Sequence, residues 1–141
     1  MDDQLARIEF RETKKFPEDQ VIALYASMKW SSSEKPKELL AALANSHTVI
    51  SAWVRDRLIG LGNALSDGHL VVYYPHLIVA PEFHKKGIGR AIMKRMAEKY
   101  AGLHQQVLVA DAEAVGFYHK CGFKPAGSCA ALWIYLGSDH D

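Results

Sequence analysis

The fold turns on YYPHLIVAPEFHKKGIGRAIMKRMAEKY, the stretch from Tyr73 to Tyr100. Leu77-Ile78-Val79 is continuously apolar, the pattern of a strand covered on both faces. Pro81 stops that strand. Lys85-Lys86-Gly87-Ile88-Gly89 then forms a loop whose glycines let backbone N–H groups approach a bulky anion without obstruction. A helix opening near Gly87 aims its positive dipole end at the same place. Strand, bare-amide loop and helix N-terminus, beside two lysines, make a phosphate-binding device.

Downstream, Ile88, Ile92, Met96 and Tyr100 recur every four residues with Ala91 and Ala97 beside them. One face of this helix is therefore buried, and Lys94, Arg95, Glu98 and Lys99 are solvated. Gly102 closes it. Val107 to Ala110 reads as a short apolar strand, so strand, helix and strand form a crossover with parallel strands. Ala112 to Lys120 predicts a short helix ended by Gly122. Ala130 to Leu136 predicts a last strand, and the polar residues after it a loose tail.

Upstream, Ala6 to Thr13 alternates as a strand, with Ile8 and Phe10 on one face. Pro17, Glu18 and Asp19 open a helix that carries Val21, Leu24, Tyr25 and Met28 at helical spacing. A second helix runs from about Lys35 to Ala44. His47 to Val54 and Leu58 to Leu65 are strands, and Leu70 to Val79 completes an antiparallel meander with them. Gly60 and Gly62, inside the second of these, predict a bulge or the close approach of another group.

The chain has 141 residues, enough for one domain with a real core; residues 1–141 read as that domain, with 136–141 a loose tail. A net charge of +1 argues against binding nucleic acid through a broad basic face. Basic residues gather only around Lys85, Lys86, Arg90, Lys94 and Arg95, which suits one anionic ligand. The N-terminus has no apolar signal region and no apolar run reaches membrane-spanning length, so a cytoplasmic protein without membrane attachment is expected. Cys121 and Cys129 form neither a disulfide framework nor a metal-ligand spacing.

His84-Lys85-Lys86-Gly87-Ile88-Gly89, placed after an apolar strand and before a helix, resembles the acetyl-CoA loop Q/R-x-x-G-x-G/A of GNAT-type N-acetyltransferases. His84 stands where Gln or Arg is usual. Ala112 to Phe123 resembles that family's A-x-x-F-Y-x-x-x-G-F segment, and together the likeness covers nearly the whole chain. A Walker-type site lacks its G-K-S/T, and a dinucleotide site lacks its G-x-G-x-x-G.

The resemblance implies a mixed α/β fold. Its central twisted sheet is mostly antiparallel, splayed at one parallel pair and flanked by about four helices. It implies acetyl-CoA as cosubstrate, held by Leu77, Ile78, Val79, His84, Lys85, Lys86, Gly87, Ile88, Gly89, Arg90 and Ala91. Unpaired amides near Val79 hold the acetyl carbonyl. Asp111 either contacts the pantetheine or caps the helix after it. Tyr118 protonates the departing thiolate, and no metal is involved. A phenol of pKa near 10 can donate to a thiolate of pKa near 8.5 as it forms.

The general base is the open question. Some members carry Glu six residues before the equivalent of Val79, where this chain has Tyr73. His76 is the nearest titratable group, yet strand alternation sets it opposite Tyr73 and Pro75 unless a bulge resets the phase. Water relayed through Tyr73 or Tyr74 competes with it. Leu24-Tyr25 and Trp30, with the later V-A-D-A-E-A-V-G-F-Y, resemble the serotonin and arylalkylamine acetyltransferase subgroup. That likeness puts Tyr25, Trp30 and Tyr74 against a small-molecule primary amine, with Tyr25 equally readable as core. Polyamines are disfavoured, because no acidic pocket is visible in the helical region. Similar proteins form homodimers, and nothing in this sequence specifies an interface. The rival class is a non-catalytic acyl-CoA-binding sensor that lacks a base.

Overall fold

The computed structural model describes residues 7–139; Ala6 of the expected first strand and the last two residues lie outside them. The described residues contain the strands β1 (Ile8–Glu12), β2 (Thr48–Val54), β3 (Arg57–Ser66), β4 (Val71–Tyr73), β5 (Leu77–Val79) and β6 (Gln105–Val107). The helices are α1 (Glu18–Ser27), α2 (Pro36–Ala44), α3 (Ile88–Lys99) and α4 (Val115–Lys120). The sheet runs β1-β2-β3-β4-β6, with β5 also paired to β3. Every pairing is antiparallel except β4 with β6. This is the mixed α/β arrangement expected, with its one parallel pair.

The middle of the sheet is covered on both faces, so β2 and β3 are buried almost end to end. On one face α3 buries Ile88, Ile92, Met93 and Met96, each worth about 1.5–3 kcal/mol relative to exposure. Gly60 and Gly62 make that contact close. A Cβ on Gly60 would lie 3.2 Å from the Ile78 carbonyl oxygen, and one on Gly62 3.0 Å from Ile92 Cγ2. On the other face α1 and α2 bury Val21, Leu24, Tyr25, Leu39 and Leu43. Tyr100, just after α3, anchors that helix to the start of β2: its hydroxyl is 2.6 Å from His47 Nδ1 and 2.5 Å from Thr48 Oγ1.

Three expectations change. The strand foreseen from Leu70 to Val79 is two strands with an irregular Tyr74-Pro75-His76 between them. The strand foreseen at Val107–Ala110 ends at Val107, because the ladder with β4 closes where the Tyr74 amide donates to the Val107 carbonyl, at 3.1 Å. Leu108 and Val109 therefore leave the sheet. Ala130–Leu136 forms no strand. It pairs with no sheet edge, and Leu132, Ile134 and Leu136 are 91% or more exposed. Its β-propensity went unused for want of a partner, since propensity alone does not make a strand.

Candidate functional site

The site begins at the irregular segment between β4 and β5. Between the pairs Gly62–Leu77 and Leu65–Tyr73, β3 advances three residues and its partner four. One extra residue is thus taken up at Tyr74-Pro75-His76, a β-bulge. Pro75, which has no N–H to offer a ladder, sits within it. Asn63 makes the bulge tolerable. Its backbone N–H donates to the His76 carbonyl at 3.2 Å, and its side-chain oxygen accepts from the His76 N–H at 3.0 Å. The Asn63 amide nitrogen in turn donates to Ser46 Oγ (3.1 Å), which donates to the Ala42 carbonyl. A buried asparagine thus satisfies backbone groups that a regular ladder would have paired.

The bulge has two consequences. It resets the strand's phase, so Tyr73 and His76 line the same cleft. It also parts β5 from β6: the parallel ladder stops at Val107, and β5 pairs only with β3. His76 and Ala80 turn backbone groups toward β3. By strand alternation the amides of Leu77 and Val79 face the gap instead, with no strand opposite them among the described residues.

At the far end of β5 comes the glycine loop. Lys85 (φ 61) and Gly87 (φ 81) both adopt the left-handed conformation, which turns the chain back into α3. Gly87 is the N-cap and offers no side-chain cap. The first helical bond is Ala91 N–H to the Gly87 carbonyl, leaving the amides of Ile88, Gly89 and Arg90 without intrahelical partners. A Cβ on Gly87 would meet nothing within 4 Å, so open space lies above the loop. Gly89 is glycine for another reason: its Cβ would sit 3.3 Å from Phe117 Cζ, where α4 packs on the loop. His84, in the place of the usual Gln or Arg, uses its Nε2 on the Val79 carbonyl at 2.6 Å. The loop's backbone and free space fit a phosphate group without needing that side chain.

Beside the gap, a cleft of about 1030 Å³ runs from Trp30 past Tyr73 and His76 to Tyr118. Tyr118 packs edge-on to Phe117 and Phe123. Burial, helped by the nearby Cys121 and Asp111, pushes its hydroxyl up to about 12, so it stays protonated. His76 packs edge-on to the rings of Tyr25 and Trp30, at centroid distances of 5.4 and 5.5 Å. Burial lowers its pKa below the ordinary 6.5.

Several expected residues take other places. Tyr25 is fully buried and does not line the cleft; its hydroxyl lies 2.9 Å from His76 Nδ1. Tyr74 lines the cleft, but it keeps only 5% exposure and its hydroxyl donates to Gln106 Oε1 at 2.6 Å. Asp111 lines the cleft, but its side chain does not cap the turn that follows.

Other cleft residues, Asp111 apart, gave no motif in the sequence. Glu34, Asp111 and Asp139 all contribute to its wall, and of these only Glu34 belongs to the helical region in which no acidic pocket is expected. The C-terminal segment is the far wall. Trp133 stacks on Tyr135 at 4.5 Å between centroids, and Asp139 accepts from the Ser31 N–H and Oγ at 3.1 Å. Ser31 and Asp139 are 108 residues apart, and no spacing rule would have joined them. Among the described residues there is no metal-binding cluster, and no helix is long and apolar enough to cross a membrane.

Comparison with known proteins agrees with this fold. The chain is 27% identical over 105 residues to an uncharacterized N-acetyltransferase, ycf52, of Porphyra purpurea, covering 69% of this chain and 60% of that protein. It is 26% identical over 119 residues to the chloroplastic GCN5-related N-acetyltransferase 1 of Arabidopsis thaliana, covering 80% and 59%. It therefore spans about 60% of the length of these curated relatives. The structure of the GNAT-family acetyltransferase SP0256 from Streptococcus pneumoniae TIGR4 superposes with a TM-score of 0.79 at 26% identity, covering 92% of this chain and 98% of that one. The sequence model described as an acetyltransferase (GNAT) domain matches residues 12–130, and with that the chain belongs to the GNAT acetyltransferase family.

Proposed function

We propose that the protein transfers acetyl from acetyl-CoA to the primary amine of a small molecule, by direct attack in a ternary complex and within a single domain. The observation that carries this reading is the gap between β5 and β6. It joins free amides of Leu77 and Val79 to a cleft that holds Tyr118 and His76. Acetyl-CoA, when bound, supplies an activated thioester carbonyl. Its pyrophosphate would be held by the loop from His84 to Gly89 with Arg90 and Ala91, and its pantetheine arm by Leu77, Ile78, Val79 and Asp111.

In this reading the Leu77 and Val79 amides orient and polarise a carbonyl oxygen lying in the gap. Tyr118 Oη delivers its proton to the sulfur leaving group; its raised pKa keeps that proton in place until it is needed. The amine must shed a proton as it attacks, and Tyr73 and His76 are the groups on that side of the cleft. Burial also raises the Cys121 pKa, which keeps its thiol protonated and argues against a covalent acetyl-enzyme. Aromatic wall residues, Trp30 and the Trp133–Tyr135 stack, support an arylalkylamine-like acceptor, and the wall carboxylates favour a cationic one. The two free cysteines suit a reducing, cytoplasmic setting.

The test is release of free CoA thiol by purified protein from acetyl-CoA with arylalkylamines, amino acids, polyamines and aminoglycosides. Turnover with an arylalkylamine is the expected result. Acetyl-CoA binding by calorimetry without turnover on any amine points to an acyl-CoA sensor. No binding at all overturns the proposal.

A further inference from the structure

The hydroxyl of Tyr25 has one hydrogen-bond partner among the described residues, His76 Nδ1 at 2.9 Å. Tyr25 is fully buried, with Leu24 and Val21 beside it in the core. If Nδ1 carried the imidazole proton, the hydroxyl would accept it and its own proton would point into packed side chains with no acceptor. An unsatisfied buried donor of that kind costs about 1–3 kcal/mol. The hydroxyl therefore donates and Nδ1 accepts. In a neutral imidazole the remaining proton then sits on Nε2. Nε2 makes no hydrogen bond within the described residues, yet no buried side-chain polar atom there lacks a partner, so this nitrogen opens onto the cleft that His76 lines.

We propose that Tyr25 is a positioning residue that locks His76 in the Nε2–H form, so that His76 meets the bound acceptor as a hydrogen-bond donor and not as its general base. The ring packs against Tyr25 and Trp30, on the α1 side, and lines the cleft there, whereas the free amides of Leu77 and Val79 face the β6 gap. Burial, which disfavours the imidazolium, keeps the donor neutral. A neutral N–H in an aromatic surround binds a lone-pair oxygen or nitrogen on the acceptor molecule. An amine that enters as a cation must then give one proton to cleft water before it attacks and a second as the amide bond forms, while the leaving sulfur takes its proton from Tyr118. The kinetic part of this inference rests on the acetyltransferase reading; the tautomer does not.

The experiment has two arms. Long-range proton–nitrogen spectra of ¹⁵N-labelled protein at neutral pH identify the His76 ring by its loss in His76→Gln. A protonated-type Nε2 and an unprotonated-type Nδ1 are expected, moving toward mixed tautomers in Tyr25→Phe. A protonated Nδ1 in the wild type, or a pattern that Tyr25→Phe leaves unmoved, overturns the proposal. Should Tyr25→Phe fail to fold, the wild-type spectrum alone decides. In the second arm, kcat/KM is followed against pH with two amines of different pKa. The acid limb is expected to move with each amine's own pKa and to persist in His76→Gln. A limb fixed at one pH for both amines, and abolished by His76→Gln, makes His76 the base and ends the proposal. If no amine is acetylated, the functional reading fails while the spectra still judge the tautomer.

Discussion

The two ends of the site are built from different materials. At the loop end, from Val79 to Arg90, backbone does the work: free amides, two left-handed residues and open space over Gly87. At the end we propose for the acceptor, side chains from the segment after α1, the bulge and the C-terminal segment meet in one wall, braced by partners far away in sequence. A backbone site should tolerate changes of side chain, such as His84 where Gln or Arg is usual. A side-chain site should not, since each member is positioned by another.

The sharpest way to probe this contrast is Tyr118, where the two ends join. Tyr118→Phe should lower kcat by roughly 100-fold or more, the usual scale of a general acid, and leave CoA affinity within about twofold. Equal turnover in that variant would remove Tyr118 from the acid role. Next comes a test of the frame behind the loop. In Gly62→Val the added branch would press on Ile92, whose Cγ2 already lies 3.0 Å from a bare Cβ. A loss of about 1–3 kcal/mol in denaturant unfolding is expected.

At Gly87, Ala should cost about 1 kcal/mol through its φ of 81°, although nothing crowds the added methyl. An undiminished Gly87→Ala unfolding midpoint would show the left-handed turn to be unstrained. At the acceptor end, Asp139→Asn weakens the clip to Ser31, which lies at the surface. About 0.5–1 kcal/mol or less is expected. Its effect should appear as a raised KM for the amine with the KM for acetyl-CoA unchanged. If both KM values move together, the C-terminal segment is not an acceptor wall.

The smallest expected effect is a pH dependence. The His76 pKa is lowered in the folded chain, so below about 6.5 the unfolded chain binds the proton more readily. Its contribution to stability is complete above that pH and is lost as pH falls through the lower folded value. Unfolding midpoints of wild type and His76→Gln should therefore converge as the solution is acidified. Parallel curves would show His76 to be as solvated as a free histidine.

Much of the fold was legible because its signals are local. The four-residue recurrence of Ile88, Ile92 and Met96 predicts the buried face of α3, and Gly60 and Gly62 announce the contact that α3 makes with β3. The bulge was half legible: Pro75 marked an irregular pairing, but the extra residue depends on register against β3, which no single strand encodes. Ala130–Leu136 misled for the opposite reason. It has the composition of a strand and no edge to join.

The sequence by itself determined the loop, because a glycine at φ 81° and bare amides at a helix start follow from residue type and local geometry. Only the tertiary structure decided what His76 is. Its protonated nitrogen depends on a tyrosine 51 residues away, its face on a bulge, and its backbone on Asn63. A tautomer is set by whichever group reaches the other nitrogen, and that group is chosen by packing.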